Sequence, residues 1–92
     1  MDVEYLSRFS EFDDHARVVR FEDQETGLKG YFALHTLVGG RAVGGTRMYP
    51  WVSEEDALRD ALRLSRAMSF KCALAGMRYG GGKGVIIGDP TT

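Results

Sequence analysis

The chain has 92 residues, of which 43% are hydrophobic and 27% charged, and its formal net charge at pH 7 is −1. This length suits one small domain, and the composition is that of an ordered, soluble globular protein. No apolar run approaches the ~20 residues of a membrane-spanning helix, and the charge balance lacks the basic excess of nucleic-acid-binding domains. We therefore expect neither a membrane nor a nucleic acid as a partner.

Cysteine usage and the N-terminus bear on the cellular compartment. Cys72 is the single cysteine, so no internal disulfide can form, which fits a reducing cytoplasm. The N-terminal sequence also lacks the basic and then apolar order of a signal peptide. Charge is unevenly distributed, because residues 1–25 carry eight acids against three arginines, whereas residues 26–92 carry nine bases against five acids. The second region is therefore the part that attracts anions.

The sequence predicts an α/β fold with a mixed sheet. An apolar strand at residues 16–21 leads into a turn at 25–27, and a second strand, rich in aromatic and apolar residues, occupies 28–36. The short turn makes this pair an N-terminal β-hairpin. A third extended segment runs over 42–48 and stops before Pro50, which lacks the amide hydrogen that a sheet needs.

A long amphipathic helix gives the clearest local signal. Ser53 is a suitable N-cap, and the acidic residues at 54–56 lie at the positive end of the helix dipole. Apolar and small side chains then repeat at helical spacing as far as Cys72, and Gly76 fits the C-terminal stop. A much shorter helix is predicted over residues 2–8.

Two lysines stand out in the second half of the chain. Lys71 ends the long helix pattern, and Lys83 lies in the glycine run at 80–84, just before an apolar strand at 85–87. Glycines leave a lysine uncovered and let the backbone approach a ligand closely. We therefore expect a small-anion site, with one lysine binding and the other acting chemically. The alternatives are that Lys71 is only a cation favoured at a helix end and that the glycine run is a plain loop.

Known phosphate-binding and metal motifs do not explain this pattern. A Walker loop needs glycine at the position of Met77 and serine or threonine at the position of Gly84. The dinucleotide fingerprint needs a strand, then Gly-x-Gly-x-x-Gly, then a helix, whereas these glycines precede a strand. His15 and His35 have no Cys or acid at metal-ligand spacing, so we expect surface or strand histidines and no metal site.

Four linked motifs carry a resemblance to a known family. They are residues 44–48 (GGTRM), 53–58 (SEEDAL), 68–71 (MSFK) and 80–90 (GGGKGVIIGDP). In order and spacing, from about Ala16 to the end of the chain, they resemble the N-terminal domain of the glutamate/leucine/phenylalanine/valine dehydrogenases, and most of all leucine and phenylalanine dehydrogenases. These enzymes oxidatively deaminate L-amino acids with NAD(P)⁺ and give a 2-oxo acid and ammonia.

The resemblance implies roles for individual residues. It makes Lys71 the lysine that binds the substrate carboxylate, and Lys83 the catalytic lysine that polarises the 2-oxo group and activates water. Gly44 and Gly45 match the glycine pair whose backbone borders the substrate, and Met68 matches a pocket-side methionine.

Substrate preference is implied by a further position. Val43 matches the residue that helps to set side-chain preference, where glutamate dehydrogenases place a lysine. Because valine supplies only apolar surface, the resemblance implies an apolar amino acid such as leucine, valine or phenylalanine. Without the resemblance, Val43 and Met68 would be interpreted as core residues.

The resemblance also bears on domain organisation. We expect residues 1–92 to form a single N-terminal substrate-binding and dimerisation domain, truncated relative to the family and without the nucleotide-binding domain. We then expect a homodimer, no NAD on this chain alone, and no turnover by it. The alternative is a stand-alone, non-catalytic module that dimerises or holds a small anion or amino acid.

Overall fold

The computed structural model describes residues 1–88, which form two helices and five strands. In chain order these are α1 (Val3–Leu6), β1 (Arg17–Asp23), β2 (Leu28–Leu34), β3 (Ala42–Val43), β4 (Thr46–Tyr49), α2 (Glu54–Leu74) and β5 (Gly80–Ile87). The predicted α/β class and the order of the elements are confirmed. The end of the fourth sequence motif, at 89–90, lies outside the described residues.

The sheet is mixed, and β5 is its central strand. β1 and β2 form the predicted antiparallel hairpin, from Arg17 opposite Leu34 to Asp23 opposite Leu28. β2 continues antiparallel to β5, while β3 and β4 lie along the other edge of β5, both parallel to it. β4, α2 and β5 therefore make a strand–helix–strand unit whose two strands are parallel neighbours, and such a unit needs a crossover helix.

The sequence signals at both ends of α2 are present in the structure. The Ser53 hydroxyl accepts a hydrogen bond from the Asp56 amide at 3.2 Å, which satisfies one of the free donors of the first turn. At the other end Gly76 has φ of +72°, and the Met77 amide donates to the Cys72 carbonyl at 2.9 Å. A left-handed residue after the last turn is a common way to end a helix, and glycine adopts it without strain.

The hydrophobic core lies between α2 and one face of the sheet. Its fully buried members on α2 are Ala57, Leu58, Ala61 and Leu62, and these pack against Tyr31, Ala33, Val85 and other buried side chains from the sheet and the N-terminal segment. Trp51 packs at the margin of this core, and its indole nitrogen donates to Asp60 at 2.8 Å. On the opposite face of the sheet Phe32 and Met48 remain 43% and 41% exposed. Within residues 1–88, neither helix is long and apolar enough to cross a bilayer.

The glycine run does not precede the last strand, as the sequence predicted, but forms the first half of that strand. β5 begins at Gly80. Glycine normally weakens a strand because it has no side chain to pack. Here a β carbon on Gly81 would overlap the backbone of α2 at Ser65 and Ser69, so the helix can approach β5 this closely only because position 81 lacks a side chain.

Candidate active site

The edge of the sheet breaks opposite the lysine of the glycine run. β3 and β4 have the same register with β5 on both sides of the break, since Ala42 lies opposite Gly80 and Thr46 lies opposite Gly84. No residue is inserted, and the pair that leaves the ladder is Gly44 and Gly45. A β carbon on Gly44 would overlap the backbone of Gly82. Gly44 therefore lets the edge strand lie closer to β5 than a residue with a side chain at this position would allow.

Lys83 projects into this break. It lies opposite Ala33, which is fully buried beneath α2. Directly opposed residues of two strands point to the same face, so the Lys83 side chain leaves the sheet on the helix side. Its ammonium nitrogen comes within 3.6 Å of the position that a β carbon on Gly45 would occupy. The lysine is half-buried, and its charged end lies close to Gly45 of the glycine pair.

α2 brings the second group of candidate residues to the same side of the sheet. The Met68 backbone lies against Gly81, and from the edge strand Val43 pairs with the same glycine. Val43 and Met68 therefore flank one residue of β5, two positions before Lys83. Lys71 lies one helical turn after Met68, in the exposed last turn of α2. A cation at this end of a helix is favoured by the helix dipole.

Strand alternation sorts the six candidates by face. Val43 and Gly45 align with Gly81 and Lys83, so they face the α2 side of the sheet. Gly44 closes the edge of the sheet between them. The structure thus brings these residues and the Met68 backbone together at the break in the edge strand, whereas Lys71 lies one turn beyond Met68, at an exposed position of the helix.

A small cavity lies behind this arrangement, on the sheet face away from α2. It measures about 130 Å³, and its lining includes Gly44, Gly45 and Lys83, but not Val43, Met68 or Lys71. Ligand sites commonly enclose roughly 300–1,000 Å³, so residues 1–88 provide walls of a site and not a closed pocket. Two larger cavities, each of about 350 Å³, are lined by arginines and acids near Arg63 and near Trp51 and contain none of the six candidates.

The two histidines are not surface or simple strand residues, as the sequence analysis expected, but buried members of a hydrogen-bonded cluster. His15 and His35 are 8% and 7% exposed, and their rings meet edge to face at 4.8 Å. His35 contacts Asp13 Oδ2 through Nε2 at 2.8 Å and Ser69 Oγ through Nδ1 at 2.7 Å. Within residues 1–88, no group of three or more His, Cys, Asp or Glu side chains is placed to hold a metal ion.

The hydrogen bonds of His15 assign its neutral form. Its Nδ1 accepts from the Asp13 amide at 3.1 Å, so Nε2 carries the proton and donates to the Leu62 carbonyl at 2.8 Å. Burial in the core lowers the pKa of His15, because the charged form would lose its hydration there. The same ring therefore ties the N-terminal segment to the middle of α2 as an uncharged group.

The carboxylate of this cluster is held in its ionised form. Hydrogen bonds from His35 and then from Arg66, whose Nε lies 3.0 Å away, lower the pKa of Asp13. One signal in the sequence points to this cluster. Ser65 and Ser69 fall one turn apart on the sheet-facing side of α2, and polar groups in such a position require partners.

Comparison with known proteins identifies the family of this chain. Residues 15–92 match the family model of the Glu/Leu/Phe/Val dehydrogenase dimerisation domain. Phenylalanine dehydrogenase of Bacillus thermotolerans is 50% identical over 90 residues, covering 98% of this chain and 24% of that protein. Leucine dehydrogenase of Geobacillus stearothermophilus is 52% identical over 85 residues, covering 92% and 23% respectively. The chain thus spans about a quarter of the length of each of these two relatives.

The fold is also found in solved structures. The crystal structure of L-tryptophan dehydrogenase from Nostoc punctiforme superposes with a TM-score of 0.80 at 44% identity, covering 85% of this chain and 23% of that one. The likeness in fold therefore extends over most of this chain.

Proposed function

Because this chain belongs to the Glu/Leu/Phe/Val dehydrogenase family, of which it covers the dimerisation domain, we propose that it forms the substrate-binding part of an NAD(P)-dependent L-amino acid dehydrogenase. The reaction is the oxidative deamination of an apolar amino acid to its 2-oxo acid and ammonia. The observation that carries this proposal is the position of the Lys83 ammonium at the break in the edge strand, 3.6 Å from the β-carbon position of Gly45. A substrate carbonyl lying along the glycine pair would be within its reach.

We propose different roles for the two lysines. Lys71 is exposed at the negative end of α2 and serves the substrate carboxylate, which is an interaction of full opposite charges. Lys83 is half-buried at the sheet edge, where it polarises the 2-oxo group and activates water. Val43 and Met68 supply the apolar surface beside them. The names of the relatives, a phenylalanine and a leucine dehydrogenase, fit a substrate of this class.

The described residues do not fit NAD. A dinucleotide pyrophosphate is bound by free backbone amides at a helix N-terminus after a glycine-rich turn. Here the glycine amides are already bonded: Gly80 donates to the Arg41 carbonyl at 3.0 Å, Gly81 to Ser69 Oγ at 2.9 Å and Gly84 to the Gly45 carbonyl at 3.0 Å. We therefore assign the NAD(P) site to a domain outside these residues, and no step of the chemistry is routed through it.

The proposal is tested on the 92-residue chain by NMR of its three lysines. Addition of 4-methyl-2-oxopentanoate should shift the Cε signals of Lys71 and Lys83. Lys29 is the internal control, because it lies opposite Ile87 at the far end of β5. 2-Oxoglutarate should bind more weakly, since its second carboxylate would meet Val43. Equal shifts at all three lysines, or none at Lys71 and Lys83, would contradict the proposal.

Turnover provides the complementary test. The chain alone should not deaminate leucine or phenylalanine with NAD⁺, because the residues described here give the cofactor no binding site. Activity in the purified 92-residue protein would show that this assignment of the cofactor site is wrong.

A second candidate function is a homodimerisation module, favoured by the incompletely covered sheet face that exposes Phe32 and Met48. This alternative would be favoured over substrate binding by two results together: a concentration-dependent dimer in analytical ultracentrifugation, and lysine Cε signals that do not shift in the NMR titration. A dimer with responding lysines is compatible with both functions in one domain.

A further inference from the structure

Ser69 joins three parts of the structure through one hydroxyl. Its Oγ accepts a hydrogen bond from the Gly81 amide at 2.9 Å, and it lies 2.7 Å from His35 Nδ1 and 2.8 Å from Thr36 Oγ1. Ser69 lies on α2, Gly81 on β5, and the other two residues follow β2. Within residues 1–88, the Ser69–Gly81 bond is the one hydrogen bond between α2 and β5.

The donor and acceptor roles can be assigned from the partners. His35 Nε2 faces the Asp13 carboxylate, which accepts only, so Nε2 carries a proton. With the hydrogen on Nε2, Nδ1 accepts from the Ser69 hydroxyl, which in turn accepts from Thr36 Oγ1 and from the Gly81 amide.

The Ser69–Gly81 hydrogen bond lies at a position of β5 that has no side chain to pack against α2. Gly81 has no side chain, the α2 backbone lies directly against it, and its carbonyl is occupied by the His35 amide at 2.7 Å. Lys83 follows two residues later between two further glycines. Because contact between backbones fixes distance better than it fixes sliding along the strand, a directional hydrogen bond sets the register of β5 against the helix.

We infer that Ser69 is a positioning residue for Lys83: its bond to Gly81 fixes the lysine relative to Met68 and Lys71 on the same helix. This inference rests on the proposed function for its consequence in substrate binding, but the positioning itself is a property of the free domain. His35, held by Asp13, orients the Ser69 hydroxyl and so acts one step further away.

The test compares two serines of α2 in the ligand-free 92-residue chain. In Ser69→Ala, exchange of the Gly81 amide hydrogen should accelerate about tenfold relative to the core amides, and the Cε signal of Lys83 should shift. Ser65→Ala is the matched control, because Ser65 is fully buried one turn earlier but donates to the Leu62 carbonyl of its own helix. Ser69→Thr keeps the hydroxyl and should restore both signals.

Several outcomes would overturn the inference. Equal acceleration of all core amides in Ser69→Ala would mean a general loss of stability, and an unmoved Lys83 signal would mean that the bond does not position the lysine. If Ser65→Ala also accelerated exchange of the Gly81 amide and shifted the Lys83 signal, the effect would not be specific to the Ser69 hydroxyl. If Ser69→Ala does not fold, hydrogen exchange of the Gly81 amide in the wild-type chain tests the inference. Exchange as fast as that of an exposed amide would show that the bond to Ser69 is absent.

A titration with 4-methyl-2-oxopentanoate separates this inference from the proposed function. In Ser69→Ala the response of Lys83 should fall while that of Lys71 persists, and Ser69→Thr should recover the Lys83 response. A wild-type chain in which neither lysine responds contradicts the proposed function, and the ligand-free comparison then tests positioning by itself. Equal loss at both lysines in Ser69→Ala would contradict the specific link to Lys83.

Discussion

The two halves of β5 pack in opposite ways. In the first half, Gly81 lies against the backbone of α2 and Gly82 against the backbone of Gly44. In the second half, Val85 is fully buried and packs through its side chain into the core. The half that has given up side-chain packing holds Lys83. One strand therefore separates the proposed chemistry of Lys83 from the hydrophobic stabilisation of the fold, and substitutions in the two halves should have separable consequences.

The sharpest test of this separation is Lys83→Ala in a complete enzyme that carries this domain. If Lys83 acts in proton transfer, kcat should fall roughly 10²–10⁴-fold, as expected for a general acid–base group. Thermal stability should change little, since the lysine is only half-buried at the edge of the core. Steady-state kinetics and a melting curve on the same variant measure both.

Lys71→Ala is the matched variant for that experiment. An interaction with the substrate carboxylate exists in both the ground and transition states, so its loss should mainly raise KM and lower kcat less. Identical kinetic changes in the two variants, or a normal kcat without Lys83, would remove the division of roles.

Gly81→Ala should produce a large loss of stability. The added methyl group would overlap backbone atoms of α2, which cannot rotate away, so we expect a cost of about 3 kcal/mol or more in the free energy of unfolding, at the upper end for overpacking. Gly45→Ala is the control, because its methyl group would meet only Lys83 Nζ at an ordinary 3.6 Å. Urea denaturation of both variants checks this, and equal stabilities would show that close backbone contact does not explain the glycine.

Val85→Ala should affect only stability. Removing a fully buried valine side chain should cost roughly 1.5–3 kcal/mol, because the transfer term for such a group is of that size and a cavity remains. Binding of 4-methyl-2-oxopentanoate by the folded fraction should stay unchanged. A Val85→Ala variant that loses binding without losing stability would break the proposed separation.

Val43→Lys tests substrate preference at the edge facing the glycine half. Val43 is 36% exposed, so the longer side chain can be accommodated. In a complete enzyme the ratio of kcat/KM for leucine to that for glutamate should fall roughly tenfold or more, since a cation would now meet the second carboxylate of glutamate. An unchanged ratio would show that position 43 does not face the substrate side chain.

The pH dependence of stability should be the smallest effect, and it arises at His15, which is bonded to Leu62 in the middle of α2. The pKa of His15 lies below its ordinary 6.5 in the folded chain, mainly because of burial and also because of nearby His35 and Arg66, with Asp13 and the Leu62 carbonyl opposing. His15 therefore contributes fully above about pH 6.5. Below that value His15 is protonated more readily in the unfolded chain than in the folded chain. The free energy of unfolding therefore decreases as the pH is lowered.

His15→Gln provides the control for this window, since glutamine does not titrate. Its free energy of unfolding should be flatter between pH 5 and 7 in denaturant titrations. The lowered pKa of Asp13 acts in a separate window, and its contribution is lost as the pH falls below 3.8. If the free energy of unfolding of His15→Gln changed with pH as much as that of the wild-type chain, another group would be responsible for the effect.

The local features were predictable because their causes are local. Ser53, the apolar repeat and Gly76 define α2 in the sequence, and the structure ends the helix within a residue of that prediction. The hairpin followed from its turn, and Pro50 marked the end of the edge strand, which stops at Tyr49.

Two features were not predictable because their causes are tertiary. The glycines of β5 were placed ahead of the strand, since glycine disfavours strands and only the approach of α2 explains Gly81. The burial of His15 and His35 depends on Leu62 and Ser69, which lie more than thirty positions away, and no periodicity of the sequence reports such a pair. The roles of the two lysines came from resemblance, with geometry supplying only their surroundings.

The unbroken register of β3 and β4 along β5 has a consequence for folding. Ala42–Ile87 contains both parallel edge pieces, the crossover helix and the central strand. Parallel neighbouring strands cannot begin to pair from a tight turn. β3 and β4 can therefore pair with β5 only after the chain between them has closed a long loop. The β1–β2 hairpin, in contrast, can form early. We expect pulsed hydrogen exchange to protect Val19 and Phe32 first, and the amides around Gly45 and Lys83 together and last.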